Sequence, residues 1–246
     1  MFVLTSSEAH MKTAIAFGLL LLAFSPTVHA GVQYPGAITF GPAYAIADAE
    51  GFPYPFNPEY GSPLMVAGLV TGVGAPFNDL LPTGPYEVTF IIAGPTFSDY
   101  GVWDDFSCGR SGTDYSYGGG TVSFYLDTTP DADFTNPSTF QDGQLVLSAS
   151  MNSIHITNDD PDGFCLLENH PDAYMSFAFT GGSWFHRVSG GVVCFGNGEI
   201  PGSYPDMIPP ALRPIGYVLR IDGSINVTGP VATEPSTWGR VKSLYR

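Results

Sequence analysis

Two groups of oxygen-bearing side chains stand out in this sequence, and one has the spacing of a cation site. Asn158, Asp160 and Asp162 alternate ahead of Gly163, like the opening of an EF-hand loop, where alternation aims the ligands at one centre and glycine permits the sharp turn. Position twelve of that pattern is Asn169, with Glu168 one place early. Calcium held without the closing bidentate acid would bind weakly, with a dissociation constant on the order of 0.1 to 1 mM. The second group, Asp127 to Asp142 with Asp131 and Asp133, has the composition from which turns are made.

Catalytic spacings are not recognisable. His155, His170 and His186 fall in no metal-binding pattern, and Cys108-Gly109-Arg110-Ser111-Gly112 reads as a glycine-rich loop with no base placed to activate a nucleophile. Asp104-Asp105 beside Trp103, or Glu87 on a strand, could serve as glycosidase carboxylates, but a chain this rich in acids brings carboxylates together without catalysis. The expectation is a non-enzymatic protein with no catalytic residues and no obligate cofactor, calcium being the one ion with a place to bind. Tyr115, Tyr117 and Trp103, together with Tyr54, Phe56 and Tyr60, supply aromatic faces suited to stacking on sugar rings.

These residues need a β framework. Alternation is clearest in Thr121 to Asp127, where Val122, Phe124 and Leu126 face one way and Ser123, Tyr125 and Asp127 the other. Further strands are expected at Leu64 to Val73, Tyr86 to Ala93, Gln144 to Thr157, Tyr174 to Thr180, Ser183 to Ser189, Val192 to Phe195 and Tyr217 to Val227. The proline-rich segments Phe52 to Pro63 and Pro201 to Pro214 cannot occupy a central strand and are read as ordered connections. With no repeat of 20 to 50 residues visible, the expected fold is all-β, an antiparallel two-sheet sandwich or jelly roll in a single domain. Hairpin parity assigns loops 108 to 119 and 158 to 172 and the region of Cys194 to one end, and puts Asp127 to Asp142 at the other. That end would then be the interacting one. Parity allows a Cys165–Cys194 or a Cys108–Cys165 disulfide without choosing, and Cys165–Cys194 is adopted as the working pair.

Composition sets the compartment. Lys12, the apolar run Ala14 to Phe24 and the small residues around Val28-His29-Ala30 form a secretory signal pattern. The apolar run is too short to span a bilayer. Met11 is the better start, since Met1 to His10 carries an acid and no base. The organisation is therefore an extension and signal peptide at 1–30, a β domain at 31–228 and a short basic tail at 229–246. Between Gly31 and Thr228 stand 21 acids and four bases, which disfavours nucleic acid as a partner. Trp238, Val241, Leu244 and Tyr245 fall at helical spacing among Arg240, Lys242 and Arg246, and the tail reads as a recognition or anchoring signal.

The stretch FYLDTTPDADFTNPSTFQDGQLVLSASM, Phe124 to Met151, resembles segments of uncharacterised exported bacterial β proteins of the PEP-CTERM-associated kind. Glu234-Pro235-Ser236-Thr237-Trp238-Gly239 is similar to the start of their sorting tail, after which Arg240 to Arg246 is basic where that family has an apolar helix. The resemblance implies a surface or extracellular-matrix setting and supplies no catalytic residues. The expected protein is secreted or cell-surface and acts as a structural or adhesive matrix component, with surface polysaccharide or matrix proteins as partners. The alternative is a calcium-assisted carbohydrate-binding module. Intact-mass measurement of the secreted protein should find Gly31 at its N-terminus; a mass retaining residues 11–30 would refute soluble export.

Overall fold

The computed structural model describes residues 32–47, 49–50, 57–105, 110–159, 172–188, 196–199 and 208–229. Eleven strands are found among them: β1 (Val32–Ala47), β2 (Ala49–Glu50), β3 (Asn57–Pro58), β4 (Pro63–Val73), β5 (Glu87–Asp105), β6 (Arg110–Gly118), β7 (Thr121–Asp127), β8 (Gln144–Asp159), β9 (Asp172–Gly181), β10 (Gly196–Glu199) and β11 (Tyr217–Gly229). β2 and β3 pair only with each other, and the other nine form one antiparallel sheet.

The sheet closes on itself. β1 pairs with β4, β4 with β5, β8 with β9, β9 with β10, β10 with β11, and β11 returns to β1. Between β5 and β8 one lane is shared by two strands end to end. β7 lies against the first half of β5 and β6 against the second, and both also pair with β8. The result is an all-β meander in chain order, a sandwich whose two layers are joined along both edges, without the Greek-key crossing a jelly roll needs.

The lane breaks at Gly119 and Gly120. Gly120 has φ of +90°, and a Cβ there would lie 2.5 Å from the Pro95 nitrogen, so only glycine lets the strand step past β5. Alternation then fills the interior. Val88, Phe90 and Ile92 of β5 point inward with Val122 and Phe124 of β7, Phe40 of β1 and Ile221 of β11. Phe90 packs on Phe40 and Phe124 with ring centroids 5.1 and 5.7 Å away. Gly68 of β4 makes room, because a Cβ there would come within 2.3 Å of the Phe90 ring.

Part of the outer face is also covered. Residues 128–143 cross it, seating Phe140 on Ala67 and Ile91 and Phe134 against Tyr44 and Tyr217. The Thr89 hydroxyl donates to the Phe140 carbonyl at 2.9 Å, which satisfies the one buried threonine beneath the strap. Ile208 and Leu212 extend the same layer over Tyr44 and Tyr217.

Several strands match their expected spans, Thr121–Asp127 to the residue. Ser183 to Ser189 departs from expectation. Gly182 turns at φ +100° and Phe185–Arg187 forms a 3-10 turn, burying Trp184 against Phe77 at the end of the barrel where β4 finishes and β8 begins. Loop 108–119 is also corrected, since Arg110–Gly118 is strand β6. β1 and β10 were not anticipated, and Val192 to Phe195 lies outside the described residues. Among the described residues no helix is long and apolar enough to cross a membrane.

Gly68→Ala should lower unfolding stability by about 1–3 kcal/mol, the usual cost of an overpacked core. Gly84→Ala, where a Cβ meets nothing within 4 Å, should leave the denaturant midpoint unchanged.

Candidate functional site

Carboxylates converge at the end of the barrel where β5 begins. Glu87 opens β5 opposite Asp127, which closes β7, and the strap folds back to bring Asp131 beside them. One carboxylate oxygen from each of Glu87, Asp127 and Asp131 falls within 4.8 Å of the others. Glu87 Oε1 accepts the backbone N–H groups of Asp131 and Ala132 at 2.7 and 2.9 Å, and Asp127 Oδ1 accepts that of Thr129 at 2.8 Å. The first service of these acids is therefore to anchor the strap. Three carboxylates so close are also the kind of hard, oxygen-only set that a divalent cation takes.

The electrostatics follow from crowding. Partial desolvation, then the neighbouring Asp142 and Asp127, raise the Asp131 pKa above the ordinary aspartate value. Asp133 is lowered, because the Thr135 hydroxyl and then its backbone N–H donate to its carboxylate. The sequence pattern makes Asp127 to Asp142 an ordinary turn on the opposite end from the calcium motif. The structure does put it at the other end, and pairs it with Glu87, a strand residue forty positions upstream of Asp127 that sequence inspection had no means of assigning to it.

At the far end, where β5 finishes, Asp105 pairs with Arg110 and Gly112 with Asp159, so the connections after β5 and after β8 do share an end. Asn158 stands on β8 opposite Thr113, and Trp103 on β5 opposite Gly112. Asp160 and Asp162, and with them the calcium motif, lie outside the described residues, as do Cys108, Cys165 and Cys194.

Tyr115 and Tyr117 are corrected as ligand-binding residues. They are 5% and 0% exposed, because strand alternation in β6 turns both rings into the core, where Phe97 packs on them at 6.3 and 5.5 Å. The Tyr117 hydroxyl and the Ser62 hydroxyl are buried there without a hydrogen-bond partner. Burial raises the Tyr117 pKa well above the ordinary tyrosine value. The rings that reach solvent are different ones. Tyr60 packs on Phe97 at 5.2 Å while remaining 66% exposed, and Tyr100, cross-strand to Tyr115, is 54% exposed, with Val102 beyond it at 69%. Their signal was periodicity: Tyr100 and Val102 are the same-face neighbours that follow Phe97 after a bulge.

Set against protein-family models, curated proteins and solved structures, the chain finds no match.

Asp131 tests the carboxylate cluster. Its folded pKa is raised, so the ionised form costs stability above that pKa, and the cost disappears as the pH falls and Asp131 takes up a proton. Asp131→Asn should raise the melting temperature at neutral pH, with the gain vanishing under acid conditions. Calcium should raise the wild-type melting temperature more than that of Asp131→Asn if the three carboxylates take an ion, and should move neither if they serve only to anchor the strap.

Proposed function

We propose that this chain is an exported, non-enzymatic structural or adhesive component of the cell surface or extracellular matrix. The observation that carries the reading is the far end of the barrel, where Tyr60, Tyr100 and Val102 present apolar side chains to solvent around the buried Phe97, Tyr115 and Tyr117. Exposed apolar side chains on neighbouring same-face positions of one strand, as Tyr100 and Val102 are, suit an interaction site. A closed sheet packed around one continuous core gives that end a rigid support, as binding surfaces built on strands require. The signal-like segment 11–30, the acidity and the resemblance to exported β proteins support a secreted or surface setting and matrix partners.

The second reading is a carbohydrate-binding module, favoured by the solvent-facing rings of Tyr60 and Tyr100. Tyrosine faces stack on the apolar faces of sugars with little conformational entropy to lose. Calcium assistance on this reading would come from the sequence motif Asn158, Asp160 and Asp162.

A glycan array together with co-sedimentation on matrix polysaccharide separates the two. The structural reading expects no selective glycan retention. Selective retention lost on Tyr60→Ala or Tyr100→Ala would overturn it in favour of the carbohydrate-binding module.

A further inference from the structure

β5 outruns its neighbour. On the β4 side its last backbone bonds are Gly61 N–H to the Phe97 carbonyl and Phe97 N–H to the Ser62 carbonyl, both 2.9 Å. From Ser98 to Val102 every residue is exposed, and among the described residues this stretch pairs only with β6. The Tyr100 N–H is taken at 2.9 Å by the Asp99 carboxylate, a local cap in place of a neighbouring strand. Among the described residues, Ser98 to Val102 is thus an uncovered sheet edge, and the sequence from Ser98 to Asp105 holds Asp99, Asp104 and Asp105 and no base. Tyr100 and Val102 supply its exposed apolar contacts.

The chain carries a complement to this edge. Residues 240–246, RVKSLYR, hold three bases and no acid, with Arg240, Lys242, Leu244 and Arg246 on the even positions and Val241, Ser243 and Tyr245 on the odd ones. An extended strand of that pattern puts all three bases, with Leu244, on one face and Val241, Ser243 and Tyr245 on the other. We propose that the segment Arg240–Arg246 of one molecule adds as a strand to the Ser98–Val102 edge of β5 in a second copy. Asp99 releases the Tyr100 amide to the incoming backbone and pairs with a base of the added strand, while Tyr100 and Val102 are covered by its apolar residues. Main-chain bonds supply affinity and the alternate side chains supply specificity, as in strand addition generally.

Direction favours a second copy over the molecule's own edge. β11 ends at Gly229 opposite Val32, and through β1 and β4 that end coincides with the start of β5. The open edge lies about a dozen strand residues away, roughly 40 Å at strand rise. Residues 230–239 span at most about 35 Å even when fully extended. A donor at one end and an acceptor at the other make a heterologous contact, which propagates head to tail instead of closing as a dimer. The inference deepens the structural reading by naming its partner, and rests on that reading.

Sedimentation of the full exported chain over a range of concentrations tests it, with mass expected to grow beyond that of a dimer. Reversing the bases, as Arg240→Glu with Lys242→Glu and Arg246→Glu, should weaken association at least about tenfold, since close opposite charges become like ones. It touches no described core residue. Val102→Pro should act in the same direction by removing an edge N–H, and Asp99→Lys should restore association to the charge-reversed tail. A peptide of residues 239–246 in excess should cap growth. A chain monomeric at every concentration, or assembly indifferent to the reversed tail, would overturn the proposal. Monomers that still adhere to matrix polysaccharide would overturn tail-to-edge pairing alone, whereas loss of both behaviours would count against the structural reading as well.

Discussion

A strand's backbone amides and carbonyls must find partners wherever water cannot reach them, and this chain meets the demand by returning its last long strand to its first. The β11 to β1 pairing runs from Val32 opposite Gly229 to Ile46 opposite Tyr217, and it turns a meander with two open edges into a circuit. Once closed, the sheet has an inside. Inward positions must then fill a fixed volume at solid-like density, and the pairing of Gly68 with Phe90 shows the constraint at its tightest: a missing side chain on one strand accommodates a ring on the next.

Closure leaves the outer face to be managed separately. Ile91, Ala67 and Tyr44 are apolar residues on outward positions, and the strap 128–143 lies over them. Besides the packing of Phe140 and Phe134, polar bonds attach it, through Glu87 at one point and Thr89 at another. The acids at that end are thus bound up with folding before any ligand is considered. Partial desolvation, and then repulsion from Asp142 and Asp127, raises the Asp131 pKa, which is the cost of tying a turn rich in aspartate to a strand that opens with glutamate.

What the sequence disclosed follows the strength of its alternation. Thr121 to Asp127 was legible because three apolar and three polar positions alternate without a break. β6 was hidden because Gly112 and the glycines from 118 to 120 made Arg110 to Gly118 look like a loop, although Tyr115 and Tyr117 keep the same two-residue step. β1 was hidden by small residues, since Ala37, Ala43 and Ala45 are core without looking apolar enough to mark a strand. Ser183 to Ser189 misled in the opposite sense. Its aromatic residues fit a strand in composition, but Trp184 is buried against Phe77 at the end of the barrel and not by lying in a ladder. The convergence of Glu87 with Asp127 and Asp131 depends on the β5–β7 register, a long-range fact that no local pattern encodes.

The shared lane of β6 and β7 separates two kinds of change. A residue inserted within an unbroken strand throws every following side chain onto the wrong face. Here the break at Gly119 and Gly120 stands between the half facing Trp103 and Asn158 and the half carrying Asp127. The joint itself is tight at Gly120, but the register of each half is set by its own pairing and not by the other half. The barrel is in this respect two modules in one wall, each holding its own register against the continuous strands β5 and β8.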